Sequence, residues 1–244
     1  MAALKVSRLS KRFGGVDAVV DVSLGIEAGE RRVLIGPNGA GKTTLFHCIA
    51  GTQLASSGTV SLFGSDITRL PPYARARAGL ARTFQITNLF PTLTVEENLL
   101  LAVAATEKVG LIRPMRAYRA LYERASRLLE QWGLAEKPQR QVRHLSYGEQ
   151  RQLELALALA GSPRLLLLDE PTAGLSASET ARVVSMVRSL PREITLLMIE
   201  HDMDVAFELA DRITVLHQGR IVVEGDAAAI RADPQVTEIY LGVE

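Results

Sequence analysis

With 244 residues, the chain has room for one large domain or two small ones. Hydrophobic residues at 47% and charged residues at 23% are the proportions of a globular soluble protein. A formal net charge of +1 removes any global electrostatic argument for nucleic acid as a partner, and a single cysteine, Cys48, cannot form an internal disulfide.

Residues 1–8 contain no apolar stretch of signal-peptide length. Apolar runs elsewhere are far short of the about 18 residues that span a bilayer. The expectation is a cytoplasmic chain that other subunits would hold at a membrane, if it works at one.

In chain order, residues 4–35 read as strands. Leu4 to Leu9 alternates apolar and polar, and so does the stretch from Val20 to Ile26. Phe13-Gly14-Gly15 is a turn between them, and Phe13 is either a hydrophobic plug or a platform on which a purine base stacks. Arg32-Val33-Leu34-Ile35 is a third strand. It runs into Gly36-Pro37-Asn38-Gly39-Ala40-Gly41-Lys42-Thr43-Thr44, which fits G-x-x-x-x-G-K-[ST], and a helix follows from Leu45 to Ala50.

Strand, glycine loop and helix together form a phosphate-binding loop. Glycines let the backbone fold around an anion, and free N–H groups converge on it at a helix N-terminus. Lys42 supplies a mobile positive charge for the terminal phosphates, and the Thr43 hydroxyl suits Mg²⁺. Cys48, on the same helix, reads as a small buried residue.

A turn and a strand follow over residues 57–64, then a short helix opened by prolines at 71 and 72, then a strand over residues 79–85 ending in Gln85. From residue 86 the composition turns helical. Thr94, with glutamate three positions on at Glu97, marks one helix start, and residues 116–133 form another helical stretch. Six basic residues against Glu123 over residues 108–127 read as a solvated face rather than a patch for lipid headgroups.

Ser146-Tyr147-Gly148 opens a helix whose apolar face is Leu153, Ala156, Leu157 and Ala160. Here an anion site and an ordinary cap are both open readings. The four leucines at 165–168 form a buried parallel strand that ends in Asp169 and Glu170. That end is where open α/β sheets bind ligands, and adjacent strand residues point to opposite faces. The two carboxylates can therefore divide labour, Asp169 towards Mg²⁺ and Glu170 towards an attacking water. After a helix over residues 176–190, residues 195–202 form another buried strand. It ends in His201, placed to contact phosphate, whereas His47, His144 and His217 lack such a context.

In this order, aromatic turn, phosphate loop, strand-end glutamine, Ser-x-Gly helix start, Asp-Glu strand and strand-end histidine, the chain resembles the nucleotide-binding subunit of ATP-binding cassette transporters along its whole length. The resemblance implies an α/β fold: a P-loop NTPase core with a mixed sheet and an antiparallel β subdomain (residues 1–85 and 160–244), and a helical subdomain (residues 86–159) carrying the signature motif. It implies ATP and Mg²⁺ as cofactors. Phe13 would stack on adenine, and residues 36–44 would cradle the phosphates. Thr43, Gln85 and Asp169 would serve the metal, and Gln85 would also sense the membrane partner. Glu170 would be the catalytic base and His201 the switch histidine. Ser146 and Gly148 would bind the γ-phosphate held by a second ATPase subunit.

Two motifs depart from the family pattern. Tyr147 and Glu149 stand where Gly and Gln are commoner, and Ser176 stands where many members have aspartate, which weakens the case for a cross-dimer contact through that residue. Ala81 to Gln85, Thr94 to Leu99, Ser146 to Arg151, Glu200 to Met203 and the terminal Tyr240-Leu241-Gly242 are similar to ATPase subunits of branched-chain amino acid importers. Urea/amide importers and the lipopolysaccharide exporter are the related alternatives.

The partners this implies are transmembrane permeases, a second ATPase subunit (a paralogue, or an identical chain) and, indirectly, an extracytoplasmic binding protein, with the chain at the cytoplasmic face of the membrane. Rival readings fit less well. Soluble cassette ATPases usually carry two cassettes or a long coiled-coil insertion, and a GTPase needs an Asn-Lys-x-Asp box that is missing here.

Overall fold

A computed structural model describes residues 1–83, 89–106 and 118–241. Gln85, much of the basic stretch and the last three residues lie outside them.

The centre is a six-stranded sheet in the order β10-β9-β3-β8-β7-β6. Its strands are β3 (Arg31–Ile35), β6 (Leu80–Arg82), β7 (Leu165–Asp169), β8 (Thr195–Ile199), β9 (Arg212–His217) and β10 (Arg220–Gly225). All neighbours are parallel except β10, which runs antiparallel to β9 at the edge. Every residue of β3, β7 and β8 is buried, which explains their near-continuous apolar sequence: both faces are covered.

Alternation divides the sheet's side chains between two cores. Leu166 and Leu168 join the core formed with α3 (Val95–Thr106), α4 (Arg119–Gln131), α5 (Tyr147–Leu159), α6 (Ala177–Ser189) and α7 (Met203–Leu209). Leu165 and Leu167 face α1 (Lys42–Ala50) and a second, antiparallel sheet. That sheet has the order β2-β1-β4-β5 and is built on the long pair β1 (Ala2–Phe13) and β2 (Val16–Glu27), with β4 (Ser57–Leu62) and the short β5 (Ser65–Asp66). The short helices α2 (Pro72–Arg77), α8 (Ala227–Ala232) and α9 (Pro234–Leu241) complete the described elements.

Two buried arginines tie these layers together. The Arg32 guanidinium, 3% exposed, donates to Glu30 (2.6 Å), Glu224 (2.5 Å), the Thr214 hydroxyl (2.9 Å) and the Gly25 carbonyl (3.1 Å), joining β2, β3, β9 and β10. Arg75, fully buried on α2, donates to the carbonyls of Cys48 (2.7 Å) and Ile49 (2.6 Å), and also to those of Thr68 and Leu70 (both 2.8 Å). The first two are orphan acceptors at the C-terminal end of α1, where a cation also meets the negative end of the helix dipole. Cys48 is buried beside this contact, and burial pushes its thiol pKa up. Among the described residues, no helix is long and apolar enough to cross a membrane.

Candidate active site

The loop between β3 and α1 depends on its glycines. Gly36 has φ +149° and Gly41 has φ +100°. A Cβ on Gly36 would run into the Leu216 carbonyl, and one on Gly41 into the Ala18 carbonyl, both rigid backbone atoms. Gly41 is the N-cap of α1 and no side chain caps the helix, so the first-turn N–H groups of α1 face the loop without a side-chain acceptor. The β9–β10 turn braces the loop from outside: the Gly219 N–H donates to the Ala40 carbonyl (2.9 Å) and the Val20 N–H to the Gly219 carbonyl (2.8 Å).

Lys42 is 5% exposed, and its Nζ donates to the carbonyls of Gly36 (2.6 Å) and Pro37 (3.0 Å). Burial lowers its pKa, while Glu170 and then Asp169 push it back up, so the two carboxylates and the ammonium share one electrostatic neighbourhood.

A cavity of about 290 Å³ opens over this loop, lined by Ala18, residues 38–44, Glu170 and His201. Larger cavities of about 750 and 690 Å³ lie elsewhere. Neither is lined by the phosphate loop or by Glu170, so we place the chemistry in the smaller one.

Glu170 and His201 reach the cavity from the ends of the adjacent parallel strands β7 and β8. Glu170 has φ +48°, a left-handed backbone that a non-glycine residue adopts only when its surroundings hold it. Its Oε1 lies 2.7 Å from His201 Nε2. Asp169, one residue earlier, turns to the other side: its Oδ2 accepts from Arg82 at 2.9 Å, in a pair with both side chains buried. Its Oδ1 is buried with no hydrogen-bond partner among the described residues.

That orphan oxygen and the Thr43 hydroxyl in the cavity wall suit Mg²⁺, which takes one or two protein oxygens and completes its shell with phosphate and water. Among the described residues there is no cluster of three or more His, Cys, Asp or Glu side chains that would form an all-protein metal cage.

Ser146 and Gly148 do not line this cavity. Ser146 caps α5: its Oγ accepts the Glu149 N–H (3.3 Å), and its own N–H donates to the Glu149 carboxylate (2.9 Å). Burial would raise the Glu149 pKa, but Lys137 and the Ser146 N–H hold it below the usual range. The Glu179 carboxylate lies over Gly148, with Oε1 2.6 Å from where a Cβ would stand. It also accepts the Ser176 hydroxyl (2.7 Å) and N–H (3.0 Å), so Ser176 has a structural task at the start of α6. The Ser176 hydroxyl, then its N–H and the Gly148 N–H, lower the Glu179 pKa.

Phe13 ends β1 with 44% of its surface exposed and Lys11 Nζ 4.7 Å from its ring centroid, so core packing does not account for an aromatic there. Gln85 lies outside the described residues. The residues alone assigned no role to Arg82, the partner of Asp169, to Ala18 in the cavity wall, or to Arg75, Glu179 and Glu200. Each owes its place to a tertiary neighbour, and only the basic side chain next to a strand-end motif gave any prior signal for Arg82.

A glycine loop between a parallel strand and a helix, facing a carboxylate and a histidine from the next two strand ends, defines a P-loop nucleotide-binding domain. Residues 19–173 match the ABC transporter family, and the chain belongs to that family.

The chain is 42% identical over 248 residues to the high-affinity branched-chain amino acid transport ATP-binding protein LivG of Salmonella typhimurium, covering 98% of this chain and 97% of that protein. The fold is similar to the crystal structure of an ATP-binding cassette of an ABC transporter in its ADP conformation, with TM-score 0.88, 31% identity and 99% of both chains covered. It is also similar to a dimeric ATP-binding cassette in a post-hydrolysis state bound to ADP and Pi, with TM-score 0.79, 25% identity and coverage of 92% of this chain and 98% of that one.

Proposed function

We propose that the chain is the ATP-hydrolysing subunit of an importer for branched-chain and related hydrophobic amino acids. The observation that carries the chemistry is the Glu170–His201 pair, 2.7 Å apart at the mouth of the phosphate-loop cavity. The identity to the Salmonella protein over nearly the full chain supports the substrate class.

In this reading Phe13 stacks on the adenine. The N–H groups of residues 36–44 and Lys42 Nζ receive the phosphates, and Lys42 leaves the Gly36 and Pro37 carbonyls to do so. Thr43, Asp169 and Gln85 would hold Mg²⁺, which when bound would supply neutralisation of the developing phosphate charge. The Glu170 carboxylate takes a proton from the water as its oxygen bonds to the γ-phosphorus. The bond from that phosphorus to the bridging oxygen breaks, and ADP and phosphate leave. His201 Nε2 orients Glu170 and contacts the γ-phosphate.

A single chain holds half of each site. Ser146 and Gly148 lie away from the cavity formed by their own phosphate loop, which supports a head-to-tail pair of ATPase subunits with each signature helix closing on the partner's nucleotide. The dimeric relative supports a pair of such subunits. We assign residues 1–85 and 160–244 to the core with its β subdomain and residues 86–159 to the helical subdomain. The 690 Å³ cavity between α2, β6 and α3, lined by Tyr73, Arg77, Ala81 and Ala102 among others, is where the permease docks on the membrane's cytoplasmic face.

Co-purification with permeases, followed by reconstitution in vesicles, tests the reading. ATP hydrolysis should rise when a leucine-loaded binding protein is added outside. Purification free of any membrane protein under native expression would contradict it.

A further inference from the structure

Two hydrogen bonds join the loops that leave β7 and β8, and the proposed mechanism uses only one. The strands are in register up to Asp169 opposite Ile199, and the Glu170 N–H makes a last bond to the Ile199 carbonyl at 3.0 Å. Beyond it, the outer link is Glu170 to His201. The inner link is Thr172 Oγ1 donating to Glu200 Oε1 at 3.0 Å, with Glu200 2% and Thr172 8% exposed. The other oxygen of Glu200 accepts the His201 N–H at 3.3 Å. One carboxylate thus grips the backbone of His201 and the loop two residues beyond Glu170.

We propose that Glu200 is a positioning residue for hydrolysis: through Thr172 and the His201 amide it sets the separation of Glu170 and His201. This rests on the reading of Glu170 as the base. A left-handed Glu170 needs its following loop held, and besides the Ala173 N–H to Glu170 carbonyl bond (3.1 Å), the buried Thr172–Glu200 bond supplies that hold.

A purely structural role fits the chemistry poorly. Burial drives the Glu200 carboxyl up to about 7, against the pull of Thr172 and the His201 N–H and with the nearby Asp202 adding to the rise. An apolar side chain at this buried position avoids that cost. Catalysis is steeply sensitive to placement: an error of about 1 Å can cost on the order of 100-fold.

The test is ATP hydrolysis by the full chain in its assembled transporter, with nucleotide affinity measured in parallel by a fluorescent ATP analogue. Glu200→Ala removes both bonds and should lower kcat by about tenfold or more, with ATP affinity within about threefold. Glu200→Gln keeps an acceptor for His201 and an amide for the Thr172 oxygen, and should recover most of that loss. Thr172→Val, which deletes one hydroxyl and is the milder change for folding, should lower kcat in the same direction, and Thr172→Ser should recover it. In a Glu170→Gln background, Glu200→Ala should add little, because both act on one step.

An unchanged kcat in Glu200→Ala or Thr172→Val, equal losses in the Ala and Gln variants, or a full additional loss on top of Glu170→Gln would each overturn the proposal. Absence of hydrolysis in the unmodified transporter would remove the ATPase reading itself, and the proposal with it.

Discussion

The carboxylate of Glu179 lies over Gly148, at the start of the helix whose N–H groups the mechanism offers to a second subunit's γ-phosphate. In the single chain an anion from the same polypeptide stands beside that amide. Glu179 is half-buried and held by Ser176 at the start of α6, so its carboxylate has to be displaced before a phosphate can reach that amide.

This makes Gly148→Ala informative. A methyl group there pushes on the Glu179 side chain that caps α6 at Ser176, a loss set against the about 1 kcal/mol by which alanine favours a helix over glycine. The variant should therefore stay within about 1 kcal/mol of the unmodified chain in stability. Its methyl would still stand where the partner's phosphate must approach, and ATP hydrolysis by the assembled transporter should fall about tenfold or more. Phosphate release and thermal unfolding, measured on the same sample, check both halves. Undiminished hydrolysis would detach Gly148 from the site.

Arg75 governs stability rather than chemistry. Removing its guanidinium leaves four carbonyls without their donor, two of them at the C-terminal end of the phosphate-loop helix. A buried acceptor left unsatisfied costs about 1–3 kcal/mol. Arg75→Ala should lower unfolding stability by about 3 kcal/mol or more, read from urea titration. Arg75→Lys, with a single ammonium, should recover only part of it.

Glu200 gives a pH signature with a definite sign. Its carboxyl titrates at about 7 in the folded chain against 4.5 for the ordinary group, chiefly because burial disfavours the charged form. Between those values the folded chain binds the proton and the unfolded chain does not. The contribution of Glu200 to stability is therefore fullest below 4.5, declines as pH rises towards 7, and is flat above. Glu200→Gln removes that decline. Urea titrations at about pH 5 and about pH 8 should show the variant gaining on the unmodified chain by on the order of 2 kcal/mol. A stability difference that does not change with pH would contradict this environment for Glu200.

Much of this was legible in the residues. Leucines 165–168 announced a strand covered on both faces, as β7 is; Asp169 and Glu170 do take different partners, Arg82 and His201, but Glu170 lies past the end of β7 in a left-handed backbone that strand alternation does not describe. Thr94 with Glu97 forms the capping box its spacing suggested, at 2.8 and 3.1 Å. Ser146 is the ordinary cap within its own chain, and what else it does depends on a second one.

Other features could not be read, because they arise from contacts between distant segments. Nothing in the sequence around Glu170 requires a left-handed backbone, which is not set by local propensity. Arg75 looks like a solvated charge on a short helix until the end of α1 arrives beside it. Arg82 and Glu200 likewise become site residues only when neighbouring strands bring Asp169 and Thr172 to them.

If Glu170 is the base that activates water against bound ATP, Glu170→Gln should separate binding from hydrolysis. Nucleotide binding by the variant should stay within about threefold of the unmodified chain, because the amide keeps the shape and the phosphate contacts are made elsewhere. Phosphate release should fall by about 100-fold or more, the usual scale for losing a positioned base. Near-normal turnover with intact binding would remove Glu170 as the base.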